Sequence, residues 1–215
     1  MALTVLVASA EPVAAQSDAR YSVTITNLTK GQNFTPLVIA THSPGVRIFA
    51  PGTQASPQLQ VVAEEGAPDM LVALLRGTTG VREVVTAAGL QTPAVSATFQ
   101  INGGGAFSQL SIVAMLIPTN DAFLGLSGLV LPAGFEPVVV DVIAYDSGTE
   151  INDERCASIP GPNFSECGGP GTGGRPGRGE GAITVHNGMH GVGDMNAALR
   201  DWRGPVARVT VQRVQ

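Results

Sequence analysis

Two carboxylates four positions apart, Asp146 and Glu150, close the stretch Val138-Val-Val-Asp-Val-Ile-Ala-Tyr-Asp-Ser-Gly-Thr-Glu150, with Gly148 between them. A turn of this kind gathers oxygen atoms into a small volume, which is what a hard cation needs. Calcium takes about six to eight oxygens at about 2.3–2.6 Å, from carboxylates, carbonyls and water. Two carboxylates fall short of that number, so a third must come from another loop. Asp121, in Pro118-Thr-Asn-Asp-Ala-Phe-Leu-Gly125, is the best candidate. The spacing lacks the EF-hand loop pattern. Asp and Gly also follow strands simply because turns use them. From the residues alone, a cation site and an ordinary turn both stand.

Other chemistry finds less support. Gly-x-Ser-x-Gly is absent, and the adjacency of His42 and Ser43 is no sign of a triad, whose members come from separate loops. Asn102-Gly-Gly-Gly-Ala106 lacks the Lys-Ser/Thr and the helix of a phosphate loop. His186 and His190 have the spacing that would place two metal ligands on one helix face. Gly188, Gly191 and Gly193 oppose a helix there, so a strand ending at His186 and then a tight loop is the expectation. Cys156 and Cys167 lack the CxxC spacing of zinc or redox sites. They flank a loop rich in Pro and Gly, and a disulfide between them would stabilise it by about 2–3 kcal/mol. Asn27, Asn33 and Asn163 each open an Asn-x-Ser/Thr triplet, relevant only in a host that glycosylates.

The elements that must position these residues read as strands. The chain has 215 residues, enough for one domain with a sizeable core. Hydrophobic residues make up 44% against 13% charged, with 27 Gly and 15 Pro, a balance that suits an all-β protein. The net charge of −5 argues against nucleic acid and weakly against polyanions. Tyr21–Asn27 alternates as a half-buried strand. Phe34–Thr41 reads as a second, with Pro36 at an edge or bulge. Ser56 and Pro57 mark a helix start and Gly66 its end, and a second short helix runs over Pro68–Leu75, stopped by Gly77. Further strands are expected at Val81–Thr86, Ala94–Ile101, Leu110–Ile117, Phe123–Leu131 and Val206–Val214. The apolar run Leu110–Ile117 predicts a central strand that delivers Asp121 at its tip, as Val138 onward delivers Asp146. The stretch from Gly168 to Gly179 reads as a mobile linker.

The segments 118–125 and 141–150 resemble the spondin N-terminal domain family, whose comparable segments read roughly Pro-Ser-x-Asp-Trp-Phe-x-Gly and Trp-Asp-Ala-Gly-Thr-Asp. The closing segment Pro205–Val214 is similar to that family's last strand, so the resemblance spans about residues 19–214. It implies an antiparallel β-sandwich of C2-like character with one or two short helices in an inserted connection, covering one end of the sandwich. It also implies one calcium ion held by Asp121, Asp146 and Glu150. Tyr145 and Ala122 stand where the family has tryptophans, and Glu150 where it has Asp; Glu reaches one methylene further and can still ligate. Bacterial members resemble this chain in the segment His186-Asn-Gly-Met-His-Gly-Val-Gly-Asp194, which implies either a structural loop or a second site of His42, His190 and Asp194.

Residues 1–15, with the apolar run Leu3–Ala10 and small residues Val13-Ala-Ala15, read as the remnant of a secretory signal, although no basic residue precedes the run. The expected protein is therefore an exported, non-catalytic calcium-binding module, secreted or at the cell surface. Its expected partner is an extracellular-matrix, cell-surface or anionic membrane component. A subunit self-associating into a filament or surface layer through edge strands and the N-terminal segment is the alternative. An unrecognised hydrolase stands third.

Overall fold

The computed structural model describes residues 19–175 and 177–215. The apolar opening read as a signal remnant lies outside the described residues. In chain order the strands are β1 (Ala19–Asn27), β2 (Asn33–Phe34), β3 (Val38–His42), β4 (Val81–Thr86), β5 (Ser96–Gly103), β6 (Gln109–Ile117) and β7 (Ala122–Val130). They continue as β8 (Val138–Val142), β9 (Ala144–Asp146), β10 (Pro160–Phe164), β11 (Gly169–Thr172), β12 (Thr184–Val185) and β13 (Ala207–Arg213). The helices are α1 (Pro57–Glu65), α2 (Asp69–Arg76) and the single turn α3 (Ala197–Arg200).

Among the described residues the strands form two main antiparallel sheets, in the orders β5-β1-β13-β8 and β12-β9-β7-β6-β3-β4, with β2 also on β6. β1 shows why they pack face to face. Tyr21, Val23 and Ile25 point inward, while Ser22, Thr24 and Thr26 stay nearer to water, the period of two expected of a half-buried strand. Val209 and Val211 of β13 join that inner face, and Ile39, Leu110, Ile112, Ala114 and Leu124 meet it from the larger sheet. This is the all-β sandwich that the sequence predicts.

The helices occupy a different place from the one expected. α1 and α2 cover the outer face of the larger sheet, where Val38, Ala40, Val113 and Phe123 pack against Leu59, Val62, Leu71 and Leu75. β6 is thus buried on both faces, which explains its unbroken apolar run. Ser56 caps α1, its Oγ accepting from Leu59 N at 3.2 Å, and Gly66 ends it at φ +66, a conformation that costs glycine no Cβ clash. The expected second strand is split into β2 and β3 around Pro36. The stretch beginning at Val138 is also split. β8 pairs with β13 in one sheet and β9 pairs with β7 and β12 in the other, so the chain changes sheets at Ile143. Cys156 and Cys167 are joined by a disulfide. The first residues of the expected linker form β11, which pairs with β10.

Candidate metal centre

The register of β7 and β9 brings the acidic turns together. Ala122 lies opposite Asp146 and Phe123 opposite Tyr145, so Asp121 sits beside the turn that follows β9. Ser147 N donates to Asp121 O at 3.2 Å. Asp121 Oδ2 accepts from Ser147 Oγ at 2.8 Å, Thr149 N at 2.9 Å, Glu150 N at 3.0 Å and Thr149 Oγ1 at 3.2 Å. The other oxygen, Oδ1, is buried and takes no hydrogen bond. Asp146 Oδ1 accepts from Gly148 N at 2.6 Å, and Oδ2 accepts from Asn152 Nδ2 at 2.5 Å. Gly148 is required: its φ is +70, and a Cβ there would stand 2.3 Å from Ala182 O.

Burial at this turn is deep, with Asp121, Asp146 and Glu150 only 0%, 4% and 3% exposed. Burial pushes the Asp121 carboxyl above its ordinary range, despite the hydrogen bonds that favour its charge. Burial and then the charge of Asp121 raise Asp146 to about 7. Burial, then Glu64, then Asp121 raise Glu150 to about 8, with Arg175 pulling the other way. Each carboxylate is costly to ionise because water is excluded, and for Asp146 and Glu150 also because neighbouring groups carry negative charge. A divalent cation would remove that cost. The all-oxygen donor set and the unpartnered Asp121 Oδ1 suit a hard cation such as calcium. The side chains are not yet closed around one point: among the described residues no three His, Cys, Asp or Glu groups stand ready to hold a metal. Asp121 Oδ2 and both oxygens of Asp146 are turned onto the turn's own amides, hydroxyls and Asn152.

The sequence profile of the Spondin_N family matches residues 21–157, well over half of the chain and inclusive of all three acids. The chain belongs to the spondin N-terminal family. No curated protein matches it. The family is one of extracellular-type, non-enzymatic modules, and a disulfide suits an oxidising compartment. In this spondin domain the match ends before β10, although β13, from beyond it, lies between β1 and β8.

The second group of residues, His42, His190 and Asp194, is not assembled by the fold. His42 lies on β3, four strands from β12 in the larger sheet, which at about 4.8 Å per strand is about 19 Å. Its ring is fully buried, with Nδ1 against Ser43 O at 2.9 Å and Nε2 against Ser111 Oγ at 2.7 Å. That Ser–His contact is sealed in the sheet, where no substrate reaches it. Asp194 instead accepts from Cys156 N at 3.0 Å, and the loop around His190 is organised by Glu154. The Glu154 carboxylate accepts from His190 N and Gly191 N at 2.6 Å each and from Val192 N at 3.0 Å. His186 stacks on Trp202 with ring centres 5.0 Å apart, and its Nδ1 accepts from Gly188 N. Burial, then His190, lowers His186 to about 4, so it stays neutral at ordinary pH. The structural-loop alternative is the one the spondin domain adopts.

Sequence reasoning passed over two acids, Glu64 and Glu154. Glu64 did carry a signal, because it and Glu65 crowd the C-terminal turn of α1, where negative charge opposes the helix dipole. The triplet at Asn27 also changes meaning. Its side chain is buried and donates to Gln32 O and Gln91 O, so it offers no acceptor for a glycan once folded.

Proposed function

We propose that this spondin domain is an exported, non-catalytic module that binds calcium through Asp121, Asp146 and Glu150. The ion fixes the β9 turn and bridges the domain to an extracellular-matrix, cell-surface or anionic membrane component. One observation carries the reading: Asp121 is buried against the turn that carries the buried Asp146 and Glu150, and it keeps an unpartnered oxygen there. A structural role for these acids would call for partners on every oxygen, and Asp121 Oδ1 has none. Calcium titration by calorimetry, followed by liposome and matrix pull-downs with and without chelator, tests it. Uptake of calcium with chelator-sensitive binding supports bridging. Binding indifferent to chelator reduces the ion to a structural role, and absence of uptake refutes the site.

Self-association is favoured by a different observation. Val130, Phe135 and Val139, on and between β7 and β8, are 63%, 64% and 54% exposed, and β8 is an edge strand. Exposed apolar edges invite pairing with another chain. Electron microscopy of the purified protein would show filaments directly, and a monodisperse monomer at high concentration would remove this second reading.

A further inference from the structure

The pair Asn-Gly occurs twice in the chain, at Asn102-Gly103 and Asn187-Gly188, and the fold treats the two differently. Asn102 stands in β5 opposite Arg20, with Gly103 opposite Ala19. Asn102 N donates to Glu83 Oε2 at 2.6 Å, and Asn102 O accepts from Thr41 Oγ1 at 2.5 Å, so this backbone is held from both sides. Asn187 lies just beyond β12 and is exposed, and its carboxamide makes no hydrogen bond among the described residues. The amide that follows it, Gly188 N, donates to His186 Nδ1 at 3.1 Å. An amide N–H can only donate, so Nδ1 carries the free lone pair and the ring proton lies on Nε2. Gly188 has φ +97, and a Cβ there would stand 2.3 Å from Asp201 Oδ1. Glycine alone suits that backbone, and it leaves the amide nitrogen unhindered.

We propose that Asn187 is a site of self-catalysed deamidation, with Gly188 N as the nucleophile and His186 as the base that takes its proton. A general base must lie about 2.6–3.2 Å from the atom that gives up the proton, and Nδ1 does. Nucleophile and carbonyl carbon sit on adjacent residues, so the encounter is intramolecular. Gly188 N passes its proton to Nδ1 and bonds to Asn187 Cγ. The Cγ–Nδ2 bond breaks, and the amide leaves as ammonia, carrying off that proton. Water then opens the cyclic imide at either carbonyl. The product is aspartate, or isoaspartate with the main chain rerouted through Cγ, and no electrons change hands. Either product sets a carboxylate where a neutral amide stood, at the wall of a cavity of about 530 Å³ lined also by His190, Trp202 and Arg203. The reaction consumes only water and is separate from the calcium site.

The experiment incubates the parent and His186→Phe at neutral pH, folded and in denaturant. Both Asn-Gly peptides are then mapped by mass spectrometry, with aspartate and isoaspartate separated by chromatography. Phenylalanine keeps a ring against Trp202 and offers Gly188 N no acceptor; melting curves verify folding. In the folded parent Asn187 converts about tenfold faster than Asn102, because a misplaced reacting pair loses up to about a hundredfold. In denaturant the two rates draw together. Folded His186→Phe converts Asn187 about tenfold more slowly than the parent. That is less than general-base catalysis usually contributes, because a ring lowered to about 4 is a weak base. Should His186→Phe fail to fold, the two pairs in the parent decide alone. Asn187 converting no faster than Asn102 in the folded parent overturns the inference, as does a folded His186→Phe that converts as fast as the parent. The same rate difference persisting in denaturant overturns it too, because sequence rather than fold would then set the rates.

Discussion

Replacing Asp146 by Asn should make the calcium-free domain more stable above neutral pH and abolish most of its gain from calcium. Burial and then the charge of Asp121 raise the carboxyl from 3.8 to about 7. For a carboxylate whose folded pKa lies above its unfolded one, stability is fully present below about pH 4 and is lost as pH rises through about 7. Raising a pKa by one costs the ionised form about 1.4 kcal/mol, so at pH 8 the charged side chain destabilises the fold by at most about 4 kcal/mol. Part of that is shared with Asp121. Half the ceiling, about 2 kcal/mol, raises the melting temperature of a chain this size by about 4–8 °C. The amide variant keeps the bond from Gly148 N, and Asn152 can turn its own amide over to match. Calorimetry at pH 5 and pH 8, in chelator and in excess calcium, reads the effect. At pH 5 the two proteins should melt closer together than at pH 8. At pH 8 in chelator the variant should melt higher, whereas calcium at about a hundred times Kd adds about 2.7 kcal/mol to the parent only. A variant that melts at or below the parent at pH 8 in chelator would refute the reasoning, because Asp146 would then not be under electrostatic load.

Further outcomes follow from other contacts. Arg200 donates from Nε at 2.7 Å and from Nη2 at 2.8 Å to Glu166 and holds that carboxyl down at about 2. This contribution is complete above about pH 4.5 and is lost as pH falls through about 2. Acid melting curves of Glu166→Gln should therefore be flatter than the parent's over that window, and parallel curves would count against the pair. Glu154→Ala strands three backbone amides and should lower stability by about 3 kcal/mol, or about 6–12 °C in melting temperature, with Glu154→Gln in between. Gly148→Ala forces a Cβ into Ala182 O at φ +70. It should lose calcium uptake in titration and destabilise by about 2 kcal/mol or more.

The parts of the fold that announce themselves locally were the legible ones. Alternation in β1, the caps of α1 at Ser56 and Gly66, and the double-sided burial of β6 follow from residue types within a few positions. That Asp121 lies beside the turn of Asp146 and Glu150 was legible because two strand tips carried acids and the flanking segments resembled a known family. The change of sheet at Ile143 was hidden, because a continuous apolar run has the same appearance whether its residues face one sheet or two. The burial of Glu64 was hidden for a different reason. An acid in a surface helix ordinarily faces water, and only the packing of α1 on the larger sheet turns this one inward. His42, His190 and Asp194 went wrong together, since shared chemical type says nothing about which strands intervene. The β10–β11 hairpin was obscured by glycine and proline, which mark turns more strongly than they mark strands.

β1 is paired with β13 along its length, Tyr21 with Arg213 and Asn27 with Ala207. The first of the described strands thus waits for the last of them before its side of the smaller sheet can close, and such distant pairing slows assembly. A product cut at residue 157, where the family match ends, would lack the strand between β1 and β8. It would present two raw edges and a bared apolar face, prone to aggregate with its own kind.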